Sequence, residues 1–194
     1  LYPEGHPYSW TVIGEMEDLQ NATVEDVKEF HSRFYVPNNA TITIAGDFNP
    51  EEVKSLLEKY FGEIPRGEEV KDPEPYHASL AATKKLVHED NFARTPQLTM
   101  VWPAAEQFSD DAYPLNFLAQ ILGSGKSSPF YRVIVKDKKL APRAGVYNRA
   151  MELTGQFTVS VNANAGTSLA DVENAVFEAL QLFEEEGITE KDLE

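Results

Sequence analysis

The sequence predicts an α+β fold, a layered antiparallel or mixed sheet covered by helices. Three observations predict it. Apolar residues recur at helical spacing in several capped stretches, and they alternate in several short ones. The alternating stretches also come in pairs with short links, instead of singly between helices as a parallel sheet would require. With 194 residues, 42% of them hydrophobic, the chain has enough apolar material for an ordinary core, which excludes global disorder.

Residues 1–16 hold Pro3, Gly5, Pro7 and Gly14 without a sustained period and read as an irregular arm. Thr23, with Asp26 three residues on, caps a helix whose Val24, Val27, Phe30 and Phe34 share one face, and Pro37 stops it. Residues 41–45 alternate as a strand, and Gly46-Asp47 turns the chain. Asn49-Pro50 opens a second helix, with Val53, Leu56, Leu57, Tyr60 and Phe61 as the stripe to be buried and Gly62 as its stop. Residues 63–79, with Pro65, Gly67, Pro73 and Pro75 among charges, read as an exposed connector. Strands are expected near 84–89 and 97–102. A helix over 111–122 is broken by Gly123-Ser124-Gly125, and a short helix follows near 128–136. Strands near 143–149 and 156–163 precede a long amphipathic helix carrying Val172, Ala175, Val176, Ala179, Leu180 and Phe183, which ends at Gly187. Thr189 reads as the cap of a further helix. The chain starts at Leu1 and stops at Glu194, so both ends are expected to be cuts in a longer polypeptide.

Charge and residue types restrict function more than they reveal it. The 32 acidic against 17 basic residues give a formal net charge of -15, a field that repels phosphate backbones and anionic lipid. Nucleic acid and membrane are therefore not expected as partners, whereas basic peptides would be tolerated. There is no cysteine, which removes disulfides, thiol catalysis and cysteine-ligated metal. No apolar run reaches the roughly 20 residues that span a bilayer.

A catalytic zinc is commonly held by three protein ligands, often two on one helical face. The four histidines, His6, His31, His77 and His88, form no such pair, and neither H-E-x-x-H nor H-x-x-E-H occurs. His31 lies beside an apolar helical stripe, and His88 next to Glu89 in an expected strand. His6, in Gly5-His6-Pro7-Tyr8, is the one a loop could bring to a site, although a structural role is the simpler reading. Gly125-Lys126-Ser127 fails as a phosphate loop because Gln120 stands where that motif needs glycine. No G-x-S-x-G elbow is present. Asn21-Ala22-Thr23 and Asn39-Ala40-Thr41 match glycosylation sequons but read better as a helix cap and a strand entry. Glu184-Glu185-Glu186 reads as a solvated face. Residue chemistry alone thus yields an acidic α+β domain without an active site.

Several stretches together resemble the insulinase/pitrilysin family of inverted-motif zinc peptidases. G-H-P-Y at 5–8 and I-G-E-M-E-D-L at 13–19 are similar to the family segment downstream of its last zinc ligand. P-N-N-A-T-I-T-I-A-G-D-F at 37–48, followed by L-L-E-K-Y-F-G-E-I-P at 56–65, is the most specific match. I-L-G-S-G-K-S-S with Phe130-Tyr131-Arg132, and the closing G-I-T-E-K-D-L, complete an ordered resemblance along the whole chain.

The resemblance implies repeated α+β units like those of processing-peptidase-type metallohydrolases. In the first unit of an active half, the histidines of H-x-x-E-H and a downstream Glu bind zinc, and the other Glu activates water. All of these would lie upstream of Leu1. Residues 1–16 are then the arm of the preceding zinc-bearing unit, and residues 17–194 the zinc-free C-terminal domain, truncated at its end. In some such domains an Arg and a Tyr seven residues later assist catalysis across a closed chamber. Here those positions hold Val135 and Pro142, and Arg132 and Tyr147 have the wrong spacing. No catalytic or metal-binding residue is therefore assigned.

The expected parent is a zinc endopeptidase acting on peptides, with this segment as inactive scaffold and chamber wall, beside the zinc-bearing unit and a second homologous half or subunit. The acidic surface would concentrate basic peptides if it faces the chamber. The alternative is a structural or partner subunit of the same fold without peptidase activity. A third reading, an unrelated peptide-binding module, would show an exposed sheet edge that accepts a strand. A bacterial periplasm or cytoplasm is expected, and apolar faces left open by truncation would make the chain dimerise.

Overall fold

A computed structural model describes residues 1–189 of the chain. They divide into two compact units. The smaller comprises residues 10–72, and the larger comprises residues 1–9 together with the chain from Pro73 onward. The expected helix after Thr189 lies outside the described residues.

The smaller unit is helical. A short α1 (Met16–Asn21), within and beyond the arm expected to be irregular, leads into α2 (Val24–Phe34). The predicted cap of α2 is present in both directions. Asp26 N–H donates to Thr23 Oγ1 at 3.2 Å, and Thr23 N–H donates to the Asp26 carboxylate at 2.8 Å. Two of the four unpaired amides of the first turn gain partners in this way. A 3₁₀ turn (Pro37–Asn39) follows. The Asn38 amide side chain then accepts from Gly67 N–H at 2.8 Å and donates to the Glu68 carbonyl at 3.0 Å, tying the end of the unit to this turn. α3 (Pro50–Phe61) has the expected Asn49 cap, proline in its first turn and Gly62 at its end.

Two expectations for this unit are corrected. Residues 41–45 are extended but form no ladder, because no described segment offers them an edge and a strand is defined by its partner. The apolar stripes of α2 and α3 are also not buried. Val27 is 66% exposed, Phe30 57% and Tyr60 65%, and neither helix has a buried residue.

The larger unit holds the sheet and the core. β1 (Gln97–Ala104), β2 (Ala144–Ala150) and β3 (Gly155–Asn162) form an antiparallel sheet in the order β1-β3-β2. Met100 and Val146 both stand opposite Val159, and Leu98 and Ala144 opposite Val161. The period of two therefore sends one set of apolar side chains to one face. Pro103 sits in an edge strand, where its missing N–H costs the ladder least.

Helices α4 (Ala112–Gly123) and α5 (Leu169–Glu186) cover that face, with a π-helical segment (Tyr131–Asp137) where a short helix was expected. Leu122, Phe130, Ile134, Val159, Val161, Val172 and Val176 are the fully buried centre of the core. Gly123 ends α4 against β2, where a Cβ would meet the Val146 Cβ at 2.9 Å. At the end of α5, Gly187 takes a φ of 68°, a conformation glycine adopts without steric cost. The strand expected near 84–89 does not form. Leu86 and Val87 are 95% and 80% exposed, and among the described residues no edge pairs with them. No described helix is long and apolar enough to cross a membrane.

Candidate functional site

The histidines stay apart in role. His6 is fully buried in the larger unit. Its Nδ1 accepts from Tyr8 N–H at 3.0 Å and its Nε2 stands 2.8 Å from the Tyr76 carbonyl. That network assigns the proton to Nε2 and leaves neither nitrogen for a ligand. Tyr2 stacks on the ring at 4.6 Å and Tyr76 packs at 4.5 Å. In the smaller unit, His31 stacks on Tyr35 at 4.9 Å. His77 faces Glu106 at 3.5 Å, and His88 is exposed in the unpaired 84–89 stretch. Among the described residues no three His, Cys, Asp or Glu side chains are grouped to hold a metal.

Arg132 is held elsewhere. Its guanidinium forks onto both carboxylate oxygens of Glu186 at 2.6 and 2.8 Å, across the end of α5. The hydrogen bonds and the charge of Glu186 raise its pKa still further above the usual arginine value. Glu186 is thus paired, where the sequence suggested a solvated acidic run. Val135 lies in the π-helical segment and Pro142 just ahead of β2. Tyr147 is half-exposed on β2, on the sheet face opposite the core.

That second face is what the sequence reading missed. Register places Thr99 and Val101 of β1, Tyr147 and Arg149 of β2, and Thr158 and Ser160 of β3 on it. No helix of the core lies there. One end is closed by residues 1–9. The Tyr2 hydroxyl accepts from the Gln156 side-chain amide at 2.7 Å, and the Tyr8 hydroxyl accepts from Leu153 N–H at 3.1 Å. Tyr76 N–H donates to the Leu153 carbonyl at 2.8 Å, so the aromatic cluster is stapled to the turn between β2 and β3. Finding the face from sequence would have required the strand register, which alternation alone does not supply.

On the helical side, an open groove of about 730 Å³ is lined by Pro103, Leu115, Leu118, Phe183 and Ile188, with His77 and Asp111 as its titratable groups. It has no nucleophile with an adjacent base.

A family model described as the peptidase M16 inactive domain matches residues 21–194. The chain belongs to this family. It is 30% identical over 192 residues to the zinc protease PqqE of Helicobacter pylori, covering 97% of this chain and 43% of that protein. It is 22% identical over 198 residues to presequence protease 1, chloroplastic/mitochondrial, of Arabidopsis thaliana, covering 96% of this chain and 18% of that one. A solved protease from Helicobacter pylori superposes with a TM-score of 0.71 at 29% identity, over 97% of this chain and 46% of that chain. An M16 inactive domain from Pseudomonas fluorescens gives 0.72 at 20% identity, over 99% and 46%, and supports the fold. The M16 inactive domain thus spans less than half the length of the relatives it matches here. Its membership agrees with the resemblance to zinc peptidases read from residues 5–65 and from the later motifs.

Proposed function

We propose that this M16 inactive domain is the zinc-free scaffold and chamber wall of a zinc-dependent endopeptidase. In this reading residues 1–16 are the arm of a preceding zinc-bearing unit and 17–194 the supporting domain. The zinc-bearing unit and a second homologous half or subunit are its partners, and a peptide is the substrate. The observation that carries the reading is the apolar surface of the smaller unit. Val27, Phe30, Ile42, Ile44 and Tyr60 are all at least 44% exposed, around an extended segment with no ladder partner. Such a surface, with an unpaired backbone at its centre, fits a domain that completes its layers against another unit. The zinc and the activated water belong to that other unit, and this domain supplies the wall that holds the substrate in place.

Amide hydrogen exchange tests the scaffold role. The amides of residues 41–45 are expected to exchange rapidly in this chain and to become protected in the complete polypeptide. Equal, rapid exchange in both would mean that no neighbouring unit covers this surface, and the scaffold reading would fall.

A further inference from the structure

β1 and the extended stretch before it carry complementary sets of unpaired backbone groups. In an antiparallel ladder, half of a strand's N–H and C=O groups point to its neighbour and half point away. β1 is an edge strand, and among the described residues no backbone group bonds to the outward half of residues 97–103. An unmatched row of this kind is a template for another strand. Residues 84–89 are extended and exposed, and among the described residues their backbone makes no hydrogen bond. Leu86 and Val87 leave 95% and 80% of their surfaces in solvent. Two contacts hold the stretch near the β1 edge. The Lys85 ammonium donates to the Glu173 carboxylate on α5, a helix that packs on β1. Only residues 90–96 separate the stretch from β1, and they begin in a turn. There the Asp90 carboxylate accepts from Phe92 N–H at 2.8 Å, and the Asp90 carbonyl from Ala93 N–H at 3.3 Å.

We propose that residues 84–89 are a strap that closes on β1 as an added antiparallel strand and so removes the free edge. Lys85 fixes the face. Its bond to Glu173 puts its side chain on the helical side of the sheet, which Leu98 and Met100 also line. Alternation then puts Val87 on that side and Leu86 on the other. In the register that leaves the Asp90 turn whole, Lys85 lies opposite Met100, Val87 opposite Leu98 and Leu86 opposite Thr99. The occupant is this chain's own segment because a short linker holds it at an effective concentration on the order of millimolar, which a second copy in micromolar solution does not match. Open, the strap leaves the β1 edge available to other strands, and closed, it blocks them. Both partners lie in the larger unit, so the closure is independent of the scaffold role.

The chain has no cysteine, so paired cysteine substitutions report without interference. Leu86→Cys with Thr99→Cys, both at exposed positions, should form a disulfide within the monomer, read by non-reducing electrophoresis and mass. Leu86→Cys with Gln97→Cys closes a loop of nearly the same length. As a diagonal pair at about 7–8 Å, however, it stands outside disulfide reach. The opposite pair should therefore oxidise about ten-fold faster than the diagonal pair in a glutathione buffer. In urea, where loop length alone sets the closure, the two rates should converge. Equal rates for the two pairs in the folded chain would overturn the strap. Disulfides that join two chains and never form within one would overturn it as well, and would assign the β1 edge to a second copy.

Discussion

Replacing His6 measures how firmly residues 1–9 are fixed to the larger unit. The ring is fully buried, makes two hydrogen bonds and is flanked by Tyr2 and Tyr76. Each hydrogen bond contributes about 1 kcal/mol net. Each aromatic contact adds about 0.5–1 kcal/mol beyond burial. His6→Ala should therefore destabilise the larger unit by about 3–4 kcal/mol. His6→Gln, whose amide N–H can still reach the Tyr76 carbonyl, should cost about half as much. The chain has two tryptophans, Trp10 in the smaller unit and Trp102 on β1. A Trp10→Phe background leaves Trp102 to report on the larger unit alone, which matters because two units need not unfold together. With a urea m-value of about 2 kcal/mol/M, the His6→Ala midpoint should fall by about 1.5–2 M. A fall of less than about 0.5 M would refute the clasp, since the arm would then dissociate at little cost and the buried ring would be incidental.

Two further perturbations probe the packing and the capping. Gly123→Ala should destabilise the larger unit by about 1–3 kcal/mol, because its new Cβ meets the Val146 Cβ at 2.9 Å and α4 must lift from β2; an unchanged denaturation midpoint would contradict that close approach. Asp26 has its pKa lowered below 3.8 by the Thr23 hydroxyl and then the Thr23 backbone N–H. Because the folded value is the lower one, its stabilisation of α2 is present above the unfolded pKa and is lost as pH falls through the folded value. The Thr23 amide should accordingly keep its exchange protection down to a pH below the ordinary Asp value of about 3.9 and lose it only in stronger acid, and Asp26→Asn should make that protection independent of acid.

What the sequence made legible is what is encoded locally. Thr23 with Asp26, Asn49 with Pro50, and Gly187 mark helix ends by side-chain or backbone chemistry within one turn, and the structure has those ends. The β1, β2 and β3 segments alternated clearly enough to place the sheet and its buried Val159 and Val161. Residues 41–45 alternate as well, and 84–89 sets Leu86 beside Val87, but a ladder depends on a second edge, and among the described residues neither stretch meets one. The stripes of α2 and α3 were visible as patterns, whereas their burial depends on a covering layer that periodicity cannot supply. The spacing of His6, His31, His77 and His88 gave no ligand set, and the structure occupies His6 with Tyr8 and Tyr76 instead.

The most direct test of the central claim is zinc content, measured by native mass spectrometry together with chelator-sensitive peptide hydrolysis, on this chain without a histidine tag and on the complete polypeptide. The account predicts neither zinc nor cleavage for this chain, and one zinc with cleavage for the complete polypeptide. Stoichiometric zinc and cleavage from this chain alone would contradict it. A complete polypeptide with neither would favour the alternative, a structural subunit of the same fold.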